Sequence, residues 1–207
     1  MTMKKRPKLK IALAIVGVLV LIGAAIHVTY EGELNLKQTI YIDVPRDELW
    51  QITGVDFAGL DKWIAGVNKS TGEGEGLNGS RYGARVCDPS YEWVKGTVTE
   101  KLIEYDPANY RLKYEGVDNG SMPGMKGGSN EWTHEVSGNG TIMGMNGTMQ
   151  LEGLMGFIMK HTMQGMMKST LNESLEELKY YAETGQQHPR KVEAMRKYRE
   201  ELAAQGQ

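Results

Sequence analysis

Few side chains in this sequence stand where chemistry could be done, and His134 is the best placed of them. In the run Asn130–Val136 it alternates with Trp132 and Val136, so it shares a strand face with an indole and a branched aliphatic. A histidine there can be the polar group of a pocket, or an acid or base near neutral pH. It can equally be a hydrogen-bonded core or rim residue, the more frequent role of such a side chain. Glu100 stands among apolar neighbours on another strand pattern, where it could be a buried acid. Tyr82, Tyr110 and Tyr114 could orient a ligand carbonyl, although a tyrosine on a half-buried strand needs no function. No Ser-His-Asp order, HExxH motif or carboxylate pair of defined spacing is present. No catalytic residue is therefore assigned, and whether the chain is an enzyme stays open.

Metal and phosphate chemistry fare worse. His161, Met163, Met166 and Met167 form an HxM…MM cluster, and methionine sites outside the cytoplasm can hold Cu(I). The three methionines share a helical face, but His161 points about 200° away from Met163 at 100° per residue. No metal and no cofactor are assigned. The lone Cys87 excludes an intramolecular disulfide and a cysteine-based zinc site, and reads as a small buried hydrophobe. Gly66–Gly79 is glycine-rich, yet it lacks a GK[ST] ending and carries Glu73 and Glu75, which would repel phosphate; it reads as a hairpin loop. The net charge of −2 hides an asymmetry: five bases and no acid lie in residues 1–30, leaving 19 bases against all 26 acids in the rest. An acidic body argues against a nucleic-acid partner.

The elements that must position these residues follow from periodicity. A basic leader, residues 1–10, precedes an apolar run at 11–28 of membrane-crossing character. A retained anchor is favoured over a cleaved signal peptide, because the run continues through Ile26 and Val28 past the small residues Gly23–Ala25. In either case the basic flank stays cytoplasmic and the domain lies on the extracytoplasmic side. Residues 29–36 read as a polar spacer. A strand follows at Gln38–Val44, then a short helix from Pro45 carrying Trp50, and a second at Phe57–Ile64 carrying Trp63. Strands are expected at Arg81–Cys87, Tyr91–Tyr105, Tyr110–Glu115, Asn130–Val136 and Thr141–Leu151, with a long loop at Gly116–Gly128 holding Met122 and Met125. Short turns between them imply an antiparallel meander. A single amphipathic helix is expected from Leu154 to Glu183, capped at Gly185, with methionines along the first half of its inner face and leucines along the second. From Gly153 to Thr184 it would measure about 48 Å. A charged helical tail, 186–207, either docks lightly or stays solvated.

An antiparallel sheet with one long amphipathic helix must wrap that helix to bury it. Three runs carry a resemblance to a known family: "IYIDVPRDELWQIT", "DFAGLDKWIAGV" and "GTVTEKLIEYDPANYRLKYEG", with "LEELKYYAE" closing the last helix. They resemble the START-like, helix-grip superfamily of polyketide cyclases and dehydrases, lipid-transfer proteins and plant pathogenesis-related allergens. The resemblance spans about Leu36 to Gly185. It implies an α+β fold, a curved antiparallel sheet of six or seven strands gripping the C-terminal helix, with a hydrophobic cavity between them. Met143, Met145 and Met149 on the last strand, and Met155, Met159, Met163 and Met166 on the helix, are the expected lining. Tyr110, Tyr114, Trp132 and His134 would add aromatic and polar walls. The expected function is binding of an apolar or amphipathic small molecule, lipids included, by a membrane-tethered domain that is itself monomeric. A cyclase or dehydratase using His134 or Glu100, and a structural envelope domain without ligand, are the alternatives.

Overall fold

A computed structural model of the chain describes residues 7–91, 94, 96–118, 123–204 and 206. The leader's Lys4, Lys5 and Arg6, Met122 in the long loop, and positions 92, 93 and 95 of the expected fourth strand lie outside the described residues.

Helix α1, Pro7–Thr29, contains the apolar run; Ile11–Thr29 is long and apolar enough to cross a membrane, and none of it is buried. The chain then turns at once into a strand. β1 spans Glu31–Ile42 and pairs antiparallel with the seventh strand along its whole length, from Glu31↔Glu152 to Ile42↔Thr141. The residues expected as a spacer are therefore sheet: Leu34 and Leu36 are buried there, and their alternation with Glu33 and Asn35 is the strand period.

α2, Arg46–Trp50, starts after Pro45 with Asp47 and Glu48 in its first turn, where the exposed N–H groups favour acids. It runs on as a single π-turn, Gln51–Val55. The expected second helix shrinks to one 3₁₀ turn, Leu60–Lys62. β2, Val67–Glu73, occupies the first half of the stretch expected as a loop; only from Gly74, at φ +71, does the chain turn. β3 is Ala84–Pro89, β4 Val98–Asp106, β5 Arg111–Asp118, β6 Met125–Ser137 and β7 Gly140–Glu152. β4 thus starts seven residues later than the alternation suggested, just after Gly96 at φ +78. β5 and β6 reach into the expected loop at Gly116–Gly128, shortening it from both ends. The seven strands form one antiparallel sheet in the order β1-β7-β6-β5-β4-β3-β2.

The closing helix is two helices. α3, Gly153–Thr162, and α4, Gln164–Thr184, are separated by Met163 at φ −100, ψ −6. Thr162 turns its hydroxyl back on the Ile158 carbonyl at 2.8 Å, and Gly165 follows; both weaken helix at this point. Gly153 starts α3 at φ +65, which lets β7 turn sharply into it. α4 ends at Gly185, φ +69, in the expected left-handed cap. It lies along the sheet with Leu175 and Leu178 buried against Ile42, Leu112 and Met143. α5, Pro189–Ala204, is docked: Lys191 is fully buried, donating to the Val67 carbonyl at 2.6 Å, and Arg190 bridges Glu176 and Glu177 of α4.

Candidate functional site

Between sheet and α4 the side chains form three successive groups from one end of the sheet to the other. At the end remote from α1 stands His134, from β6. Its Nδ1 lies 2.7 Å from the Tyr110 carbonyl and its Nε2 2.8 Å from Thr53 Oγ1, which the π-turn delivers. A carbonyl can only accept, so Nδ1 donates; in the neutral ring Nε2 can only accept, and it shares the single Thr53 hydroxyl proton with the Leu49 carbonyl, 3.0 Å from the same oxygen. Burial pushes the imidazole down to about 4, against the usual 6.5. The Trp50 ring stands edge-on to it at 5.3 Å. With both nitrogens engaged and the charged form disfavoured, His134 is a core residue that ties α2 to the sheet.

Tyr110 belongs to the same end. It is a turn residue at φ +55 rather than the first strand position, and its hydroxyl donates to Asp47 at 2.5 Å while Arg46 stacks on its ring. The bond to Asp47 raises its phenol above the ordinary value. With Trp50, Gln51 and Tyr105 it lines an open cleft of about 470 Å³.

The middle group is built around a residue that the motif reading passed over. Arg85, on β3, is completely buried. Its Nε donates to Glu100 Oε2 at 2.6 Å and Nη1 to the Phe57 carbonyl at 2.8 Å. Its guanidinium carbon sits 4.1 Å from the Phe57 ring centre, 4.4 Å from that of Tyr114 and 5.4 Å from that of Trp132. Among the described residues neither Nη2 nor Trp132 Nε1 makes a direct hydrogen bond, although both are buried and the Tyr114 phenol lies against the guanidinium. Glu100 is thus the counter-ion of Arg85. Burial raises the phenol of Tyr114 and the thiol of Cys87 beside this pair. The available signal was an arginine at an inward-facing strand position, in register with Glu100 of the next strand.

The third group lies nearest α1. Met149, Met159 and Met163 pack with Leu34, Leu36, Leu151, Met125 and Met167. Met143 and Met145 belong instead to the main core with Trp132 and Tyr114, and Leu171 of α4 touches both clusters. Met155 and Met166 point outward, 48% and 52% exposed. The expected lining therefore divides: Tyr114, Trp132, Met143 and Met145 come together, Met149, Met159 and Met163 form a neighbouring cluster, Tyr110 and His134 share the far end, and two methionines face away. His161 is exposed and stacks on Phe157 at 4.7 Å, apart from the methionine face.

The fold has a known counterpart. The family model described as Polyketide cyclase / dehydrase and lipid transport matches residues 33–183. The chain belongs to that family. Its match begins inside β1 and ends within the last turn of α4, so it takes in all three groups and leaves out α1 and α5. A search of curated proteins finds no match. Among solved structures, the fold is similar to a protein of Thermus thermophilus (TM-score 0.57, 16% identity, covering 72% of this chain and 97% of that one). It is similar also to the ZhuI aromatase/cyclase of Streptomyces sp. R1128 (TM-score 0.58, 16% identity, 73% and 94%). Ara h 8.0201 matches at TM-score 0.54 and 19% identity over 73% of this chain and 98% of its own. At such identities the likeness establishes the helix-grip fold and no shared reaction.

Proposed function

We propose that the chain is a membrane-tethered domain that holds a hydrophobic or amphipathic small molecule, with a lipid as the leading class, between the sheet and α4. The ligand's polar end would meet Arg85 and Trp132, and its apolar body would extend past Met143 and Met145 toward Met149, Met159 and Met163. The observation that carries this reading is the pair of buried N–H groups, Arg85 Nη2 and Trp132 Nε1, that make no direct hydrogen bond among the described residues, inside one aromatic box. A buried donor without a partner costs about 1–3 kcal/mol, so a sequence that retains two has a use for them. One carbonyl, hydroxyl or carboxylate oxygen could satisfy both. The methionines suit the rest, because an unbranched thioether side chain can re-pack around a guest. Family membership supports ligand binding of this general kind. The engagement of His134 with Tyr110 and Thr53 removes the best-placed base for a cyclase-type reaction.

The tether is α1, retained rather than cleaved. The Gly153 N–H donates to the Tyr30 carbonyl at 2.9 Å, so the end of α1 is joined to the domain. The basic leader keeps the N-terminus cytoplasmic and sets the domain outside. An acidic body fits no nucleic-acid partner.

The test is extraction of the full chain from membranes in mild detergent, followed by mass spectrometry of what it retains. An amphipathic molecule bearing an acceptor oxygen is expected at one per chain. Trp132→Phe removes the N–H together with part of the ring volume and should weaken retention at least about 5-fold, the worth of a hydrogen bond of about 1 kcal/mol. Retention unchanged in Trp132→Phe and in Arg85→Lys would remove the proposed polar end; an empty wild-type protein would favour the structural alternative, and a chemically altered molecule the enzyme.

A further inference from the structure

α3 is apolar on every side from Gly153 to Met159, and its polar residues, Lys160, His161 and Thr162, are confined to the last turn. Its inner face buries Gly153, Gly156 and Met159. Its outer face carries Leu154, Met155, Phe157 and Ile158, of which the last three are 48%, 36% and 41% exposed, with His161 and Thr162 beside them. A stretch of helix that is apolar all round, as α3 is over its first two turns, belongs in a core or in lipid. What covers this face follows from its place in the fold. α3 begins where α1 ends: the Gly153 N–H bonds to the Tyr30 carbonyl, and the Tyr30 ring stands edge-on to Phe157 at 5.4 Å. β1 leaves α1 after a single residue, so no linker lifts the domain off the bilayer.

We propose that α3 lies in the interfacial layer of the same membrane that α1 crosses, its outer face among the acyl chains, and that a lipid of that leaflet reaches the methionine cluster directly beneath it. The proposal rests on the reading of α1 as a retained membrane helix. Met159 and Met163, the inner side of α3 and its junction with α4, belong to that cluster. Met163 separates α3 from α4, whose C-terminal half is pinned by the bonds of Asp43 to Glu183 and Ala65 to Glu177. Charge does not drive the docking: Glu31, Glu33 and Glu152 stand at this end together with Lys126, Lys160 and His161. Insertion is apolar, so neutral phosphatidylcholine suffices.

The experiment places single nitroxide labels on the full chain in phosphatidylcholine nanodiscs, in a Cys87→Ala background. Positions 155 and 158 test α3, position 19 reports α1, and position 136, exposed at the far end of the sheet, is the aqueous control. Labels at 155 and 158 should collide more with oxygen than with a water-soluble nickel chelate, as at 19, with the ratio reversed at 136. Aqueous behaviour at 155 and 158 with lipid behaviour at 19 overturns the docking of α3 and leaves the anchor standing. Aqueous behaviour at all four positions overturns the anchor itself. Labels shielded from both reagents, or spin–spin broadening at 158, would mean a protein partner or a second copy in place of lipid.

Discussion

The two ends of the sheet solve the same burial problem with different materials. At the end remote from α1, rings and hydrogen bonds fix every position: His134 is held at both nitrogens, Thr141 donates to the Val44 carbonyl at 2.8 Å, and Lys179 donates to the Tyr41 carbonyl at 2.9 Å. At the end next to α1, the contacts are thioethers and leucines, the closing helix is interrupted at Met163, and the described residues leave an apolar face uncovered. Directional bonds specify one arrangement, whereas methionine tolerates several. The fold is therefore specified by directional bonds at one end and by adaptable side chains at the other, where the proposed ligand would enter. Arg85, between the two, belongs structurally to the stiff half and chemically to the adaptable one.

The largest effect is expected from removing that arginine. Arg85→Ala removes the cation and strands Glu100 in the core wall, which should cost about 3–5 kcal/mol in urea unfolding. The double variant Arg85→Met, Glu100→Leu replaces the pair by apolar volume and should recover most of that stability, yet bind no ligand. Full ligand retention by the double variant would show that the pair is structural only.

Next comes the contrast between methionines. Met143 is fully buried in the ring-rich core, and Met143→Ala should cost about 2–5 kcal/mol, as in a solid core. Met159, in the adaptable cluster, should cost at or below the low end of that range when cut to Ala. Equal losses, read by urea unfolding of a fragment starting at Tyr30, would mean that both ends are packed alike.

The stiff end should also be the acid-sensitive one. The folded-state pKa of His134 is about 4, below the unfolded value near 6.5. Between those values the unfolded chain binds the extra proton, so stability rises with pH across the window. Its contribution is complete above about pH 6.5 and lost as pH falls to 4, by about 3 kcal/mol. His134→Gln should flatten that part of the pH profile, and a slope surviving the substitution would assign it to other groups.

Much of this was legible in the sequence. The alternation of Ile40 and Ile42, of Leu112 and Tyr114, and of Met143 and Met145 marks strand faces, and it holds in the sheet. The order of elements, with the runs around Trp50 and Trp63, was enough for the family and the fold. The boundaries were not legible where tertiary pairing overrides local composition. Glu31–Leu36 looks like a spacer because every second residue is polar, yet β7 pairs with all of it. Val67–Glu73 is glycine- and lysine-bearing, yet β3 recruits it. The long helix was read through Met163 because its apolar period does not change there; the break comes from Thr162 and Gly165. The site was half legible. Methionines on one face can be seen in a sequence, but which of them point inward depends on where α3 is broken. Arg85 was invisible, because a lone arginine on a strand reads as a solvated residue until its neighbours across the sheet are known.

The smallest effect belongs to the uncovered face of α3, and it tests the comparison from the opposite side. Met155 and Ile158 touch little of the domain, so Met155→Ser with Ile158→Ser should change the unfolding free energy of the Tyr30–Gln207 fragment by no more than about 0.5 kcal/mol each. The same pair should make the fragment markedly more soluble, because an exposed apolar face drives association. A large loss of stability would mean that these side chains are folded into the domain in solution and that the adaptable end is better packed than its exposure indicates. A neutral change with a clear gain in the monomer fraction, followed by analytical ultracentrifugation, would place the face outside the domain's own core and leave its partner to be sought in the membrane beside α1.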